Sequence, residues 1–342
     1  MTTDHERRPN LFILGAAKCG TTSMYEYLSG HPQVFMSQRK EPRYFSPDLA
    51  GDGDTRRLRH PQDLPRYLAL FAGAGRAQRI GEGTVQYLYS RDAPGLIHAF
   101  DPNAYLIVMF RDPVEMMYSL HAHYVAAGNE PLADFAAAVA AEEPRRAGGS
   151  VNGVNSSLMV YSDRARFGEQ LARWYEVFGR ERIHVTVLDD LKRDPAAEFR
   201  RVLEFLQVDP AYVPDSFAAR NASHVARSNL LRSALRSELP RRVRWQLFPA
   251  LFGEAGALRV SGRLRRLMVR QVNRKQVDRP ALDASLRTQL QQQLAGDVAL
   301  LSELLGRDMA ALWWGGQTSP VEAHDGGGAH SGGAREVDPA AD

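Results

Sequence analysis

The chain has 342 residues, 44% of them hydrophobic and 24% charged, with a formal net charge of +3. These proportions exclude a fibrous or largely disordered protein and leave room for one large domain or two smaller ones. No run of about 18 apolar residues offers a transmembrane helix; a single cysteine, Cys19, excludes an internal disulfide and, with no apolar stretch of signal-peptide length in 1–9, leads us to expect a cytoplasmic location.

Residues 1–9 are polar and charged and are expected to be disordered. The first apolar run, "LFIL" (11–14), reads as a buried strand, and "GAAKCGTTSMYEYL" follows it as a turn running into a helix. Further strands are expected near 79–82, at 104–110 ("AYLIVMF") and at 183–188 ("IHVTVL"). Helical patterns separate them, which argues for an α/β fold with a mostly parallel sheet. After "RD" at 111–112, Asp112 is a helix cap, Pro113 suits the first turn, and Glu115 stands where it would complete a capping box. Asp194 and Pro195 repeat that start, with Phe199, Val202, Leu203 and Leu206 on one face. A long amphipathic helix is expected over 283–305, where Leu286, Leu290, Leu294, Val298, Leu301 and Leu305 recur at three- and four-residue spacing. Residues 315–342 are rich in Gly, Ala and acids and read as a disordered tail. The core is therefore expected to be a single domain, 10–314: a P-loop-like sheet flanked by helices, with a helical C-terminal part.

The turn after the first strand carries the first chemical signal. A strand that feeds a glycine-bearing turn into a helix aims backbone N–H groups and the positive helix end at an anion. Gly20 permits close approach, and Thr21, Thr22 and Ser23 add hydroxyls. A nucleoside triphosphatase would place its lysine directly after the second glycine; here Lys18 precedes Gly20 by two residues. Lysine is scarce in this chain, with only Lys18, Lys40, Lys192 and Lys275 among 43 basic residues. Cys19 at a helix start could be a nucleophile, but no base and orienting acid are evident for it, and a small filler is the plainer reading.

"AAKCGTTSMYEYLSGHPQV" resembles the 5′-phosphosulfate loop of sulfotransferases that use 3′-phosphoadenylyl sulfate (PAPS), of the heparan-sulfate and bacterial carbohydrate type. "RKEPRYFS" (39–46) is similar to the K-E-x-H-[FY]-F segment of that group, with Arg43 in place of the histidine. "VMFRDPVEMMYSLHAHY" resembles its 3′-phosphate segment, in which Arg111 and Ser119 stand at the matching positions. "GEGTVQYLYS" (81–90) is similar to a segment lining the acceptor cleft, with Val85 where the family has proline. "NRKQVDRPALD" only loosely resembles the family's K-G-R-x-H-P segment.

The resemblance implies a transferase that uses PAPS as co-substrate and acts on a glycan or small-molecule acceptor. It implies that Lys18, Cys19, Gly20, Thr21, Thr22, Ser23, Arg111, Ser119, Lys275 and Arg279 hold the donor. Glu41 is implied as general base, and Arg43, Glu82, Thr84, Tyr87, His121 and His123 as acceptor-side residues. His121 or His123 could instead be the base, or simply pack. A lysine placed between phosphate and sulfate can meet the charge that develops on the leaving group. A singly charged sulfuryl group does not demand the metal clamp that a γ-phosphoryl group does, so no metal is expected. No nucleic-acid partner is expected either.

Arginines crowd 227–279, among them Arg241, Arg242, Arg244, Arg263, Arg265, Arg266, Arg270 and Arg274. They read as a solvated helix face, as contacts to an anionic acceptor or to the donor, or as peripheral contact with an anionic membrane. Two other readings of the whole chain stay open on sequence: a P-loop kinase with a degenerate loop, and a non-catalytic polyanion- or membrane-binding protein. The oligomeric state is not legible.

Overall fold

The computed structural model describes residues 7–53, 58–217 and 280–315, together with the backbone of two short strands, His224–Ala226 and Arg274–Gln276. Five parallel strands form the central sheet: β1 (Leu11–Gly15), β2 (Val34–Met36), β3 (Arg79–Gly83), β4 (Tyr105–Phe110) and, later in the chain, Ile183–Val187. Their spatial order is β2, β3, β1, β4 and Ile183–Val187, with Leu11 opposite both Gly81 and Tyr105. β1 lies at the centre, and the chain moves to one side of it for β2 and β3 and to the other for β4. The carboxyl ends of β1, β3 and β4 therefore meet at a switch point, where open α/β sheets bind ligands.

The strands expected at 11–14, 79–82, 104–110 and 183–188 are all present. β2, at three residues, is too short to carry a periodic signal, and so is the two-residue hairpin Ser150–Val151 with Val154–Asn155. Every residue of β1 and β3 is buried, as helices on both faces of a parallel sheet require.

The helix starts follow local chemistry. Helix α1 is Thr21–Ser29, α2 is Leu64–Leu68, α3 is Ala93–Phe100 and α4 is Pro113–Ala127. Asp112 caps α4 by accepting the N–H groups of Val114 (2.8 Å) and Glu115 (3.2 Å). Asp194 caps Pro195–Phe205 through Ala197 N–H, and that helix buries Phe199, Val202 and Leu203. The long C-terminal helix is Ala284–Leu305 and buries Leu290, Leu294, Val298 and Leu301. It lies against Phe167–Phe178, whose first N–H groups, on Gly168 and Glu169, both donate to Asp297 at 2.9 Å. Two expectations need correction. Glu115 does not complete a capping box, because its carboxylate is engaged by Arg111 and Arg287 instead. Arg8 and Pro9 are not a free N-terminus: Pro9 is buried, and the Arg8 guanidinium lies 4.1 Å over the Phe100 ring and donates to its carbonyl.

Among the described residues, no helix is long and apolar enough to cross a membrane. The arginine tract 227–279 lies outside the described residues apart from the strand Arg274–Gln276, as do Arg279 and the tail beyond Gly315.

Candidate active site

The loop from β1 to α1 is shaped by two glycines. Gly15 has φ 147°, and a side chain there would stand 3.0 Å from the Val85 carbonyl oxygen. Gly20 has φ 93°, and its Cβ would stand 3.0 Å from Leu188 Cδ1. Ala16 N–H donates to the Met109 carbonyl at 2.8 Å, which ties the loop to β4. Lys18 itself is left-handed, with φ 65°. Gly20 caps α1 without any side-chain hydrogen bond, and the first turn holds no acidic residue. Such a helix end favours an external anion.

Around this loop the fold gathers residues that lie far apart in sequence. Lys40 reaches back so that its Nζ donates to Thr22 Oγ1 at 2.6 Å and lies 5.7 Å over the Tyr25 ring. Burial lowers the Lys40 pKa, with Glu41 and Glu26 acting against that shift. Arg111 leaves the end of β4 and donates from Nη1 to the Lys18 carbonyl at 3.4 Å. Its Nη2 is 3.7 Å from Glu115, which also pairs with Arg287 of the C-terminal helix. Two guanidinium groups thus share one carboxylate, and Arg111 is not saturated by its ion pair. Ser119 lies two turns further along α4 and is buried. Thr21 is buried, and Thr22 and Ser23 are half-buried.

Cys19 is fully buried, and its Sγ bonds to the Ala17 carbonyl oxygen. Burial pushes the thiol up to about 12, although Arg111 and Lys18 pull it down. A thiol held protonated is not a nucleophile, so the filler reading stands.

Glu41 lies on the irregular segment between β2 and α2. Its N–H donates to the Gly83 carbonyl at 3.0 Å, and its Oε2 accepts Val85 N–H at 3.2 Å. Proline has no N–H to give, so the valine that departs from the family pattern supplies this bond. Burial raises the Glu41 pKa, opposed by Lys40, Arg43, the Val85 N–H and Arg164. Arg43, in place of the family's histidine, therefore acts on Glu41 as a charge.

Arg164 was not legible as a site residue. It is buried, its Cζ stands 5.3 Å over the Tyr89 ring, and its Nη1 is a buried donor with no hydrogen-bond partner.

The acceptor-side expectations are redistributed. Glu82, Thr84 and Tyr87 are all fully buried and bonded to one another, so they do not face an acceptor. The reason is topological: β3 is an interior strand, and its end lies beneath the segment that carries Glu41. His121 is also buried, with Nε2 donating to the Leu132 carbonyl at 2.9 Å among the Phe135 and Tyr161 rings, and it packs rather than contacts an acceptor. His123 is exposed, and desolvation and the Lys18 charge both lower its pKa, which places it on the Lys18 side of the site. Lys275 lies on the strand Arg274–Gln276, opposite Val225; its side chain, like Arg279, lies outside the described residues.

Comparison with known proteins agrees with this geometry. A family model described as a sulfotransferase domain matches residues 8–219. Human carbohydrate sulfotransferase 15 is 28% identical over 252 residues, covering 59% of this chain and 44% of that protein. Human heparan sulfate glucosamine 3-O-sulfotransferase 6 is 28% identical over 200 residues, covering 58% and 52%. The chain thus spans about half the length of the curated relatives it matches. The crystal structure of a sulfotransferase from Alicyclobacillus acidocaldarius superposes with a TM-score of 0.64 at 26% identity, over 89% of this chain and 98% of the other.

Proposed function

The chain belongs to the sulfotransferase family, and we propose that it moves a sulfuryl group from PAPS to a hydroxyl, less readily an amine, of a sugar, glycolipid or secondary metabolite. One observation carries the reading. At the carboxyl ends of β1, β3 and β4, a glycine- and hydroxyl-rich loop with Lys18, the half-buried carboxylate of Glu41 and the partly committed Arg111 come together.

The residues present fit the donor. The uncapped start of α1, with Thr21, Thr22 and Ser23, suits its 5′-phosphate, and Arg111 with Ser119 suits its 3′-phosphate. Arg111 can exchange its long contact with Glu115 for a phosphate because Arg287 keeps Glu115 neutralised. The donor supplies an activated sulfuryl group whose departure leaves charge on a bridging oxygen. Lys18 meets that charge as a compact ammonium, and Lys40 adds a second positive charge at Thr22. Glu41 takes the acceptor proton. Desolvation raises its affinity for that proton, and Lys40, Arg43, the Val85 N–H and Arg164 oppose that rise.

The test is incubation with PAPS and a panel of glycans and small hydroxylated acceptors, heparan sulfate among them, read by mass spectrometry for a gain of one SO₃ group. PAP should stabilise the protein thermally where ATP with Mg²⁺ does not. In Glu41→Gln, PAP affinity should hold while kcat falls by about 10²–10⁴-fold. Stabilisation by ATP with Mg²⁺ but not by PAP would overturn the proposal.

A further inference from the structure

Glu82 is a buried carboxylate to which the chemistry above gives no task. It is 0% exposed and accepts three hydroxyl protons. Tyr67 donates to Oε1 at 3.0 Å, Tyr87 to Oε1 at 2.7 Å, and Thr84 to Oε2 at 2.8 Å. Each of the three groups also grips the segment that bears Glu41. Thr84 Oγ1 accepts Arg43 N–H at 3.3 Å, and Tyr87 OH accepts Phe45 N–H at 3.3 Å. The Tyr67 ring stacks on Tyr44 at 4.4 Å and 10°. Three consecutive residues, 43, 44 and 45, are therefore each held by a side chain that is itself anchored on Glu82.

The proton count makes the arrangement directional. A hydroxyl has one hydrogen. Thr84 and Tyr87 both accept an amide N–H, so each spends its own proton on Glu82. A group that receives three protons must be an acceptor on both oxygens, which an ionised carboxylate is and an amide is not.

The segment needs such a brace. Glu41 has φ 60° and Arg43 has φ 58°, in the left-handed region that side chains rarely adopt. Such residues persist only where their surroundings over-determine them. The Glu41 N–H and carboxylate are bonded to Gly83 and Val85, the two neighbours of Thr84.

We propose that Glu82 is a positioning residue for Glu41: through the hydroxyls of Thr84, Tyr87 and Tyr67 it fixes residues 43–45 and so sets where the Glu41 carboxylate stands. Its catalytic meaning rests on the assignment of Glu41 as the base. Glu41 in turn raises the Glu82 pKa, while Lys40, Arg43 and Arg164 lower that of Glu41.

The test uses the full chain saturated with PAP and follows amide hydrogen exchange at Arg43 and Phe45. Thr84→Val should speed exchange at Arg43 roughly 2- to 10-fold, as one lost hydrogen bond implies, and Thr84→Ser should restore it. Tyr87→Phe should do the same at Phe45, and Glu82→Gln at both. Unchanged exchange at Arg43 in Thr84→Val, or at Arg43 and Phe45 in Glu82→Gln, would overturn the proposal, and so would a Thr84→Ser variant that fails to restore the protection lost in Thr84→Val. If Glu82→Gln does not fold, the Thr84 pair decides alone, because it leaves the carboxylate in place. Failure of the base assignment is a separate result: full turnover in Glu41→Gln, with the exchange effects intact.

Discussion

Replacing Glu82 by glutamine should change how stability responds to pH, and the size of the change follows from the burial of this one group. Burial pushes the Glu82 carboxyl from its ordinary 4.5 up to about 7, even though the hydroxyls of Tyr87, Thr84 and Tyr67 favour the charged form. One pKa unit corresponds to about 1.4 kcal/mol, so holding this carboxylate ionised in the fold costs about 3 kcal/mol. The sign follows from proton binding. Between 4.5 and 7 the folded state holds more protons at this site than the unfolded state, so stability falls as pH rises. The loss begins near the unfolded value and is complete above the folded one. Glu82→Gln has no titrating group there. The stability of the variant minus that of the wild type should therefore rise by about 3 kcal/mol from below pH 4.5 to above pH 7, on top of any constant effect of the substitution. Urea unfolding of both proteins across that range measures it, with other titrating groups cancelling in the difference. A flat difference would refute the reasoning, and a falling one would mean that the hydroxyls outweigh burial. A fold that tolerates so costly a charge beside its active site fits a group kept for position rather than for stability.

Further expectations concern the other groups. Lys18→Ala should lower turnover by about 10²–10³-fold while PAP binding weakens but stays measurable by calorimetry; near-normal kcat would remove Lys18 from the chemistry. Arg111→Ala should raise the KM for PAPS and erode its preference over the analogue lacking the 3′-phosphate, and a retained wild-type ratio in competition kinetics would make Arg111 structural. Arg164→Gln removes a charge that lowers the Glu41 pKa, so the acid limb of kcat/KM should move to higher pH; an unmoved or lowered limb would separate Arg164 from the base. Glu130 accepts both Arg145 Nη atoms (2.8 and 2.9 Å), Tyr161 OH (2.7 Å) and Leu132 N–H (3.0 Å) in a buried cluster. Glu130→Ala should cost about 3–5 kcal/mol in chemical denaturation, because Arg145 is left buried and unpaired, and PAP affinity should stay unchanged once the variant is folded.

Local physics made a good part of this protein legible in its sequence. Apolar or β-branched runs bounded by polar turns marked β1, β4 and Ile183–Val187, because strands covered by helices on both faces are rich in such residues. Asp112 and Asp194 announced helix starts, since a cap acts on N–H groups only two or three residues away. The anion-binding loop was visible for the same reason: its glycines, hydroxyls and lysine are consecutive.

Tertiary structure decided the rest, and it decided everything that depends on where the chain returns. β2 pairs with β3 over three residues, too few for any period to show. Lys40 meets Thr22 across 18 positions, and the brace on residues 43–45 joins side chains 67, 82, 84 and 87. Sequence placed Glu82, Thr84 and Tyr87 beside the acceptor because the resemblance fixes residue identity, whereas depth depends on which strand lies inside the sheet. Arg164 gave no signal in a chain so rich in arginine; only its burial beside Tyr89, with an unpartnered nitrogen, sets it apart. The physical reason is common to all of these. Periodicity and capping are fixed by neighbours along the chain, while hydrogen bonds across some 40 residues and the burial of a charge exist only once the sheet has closed.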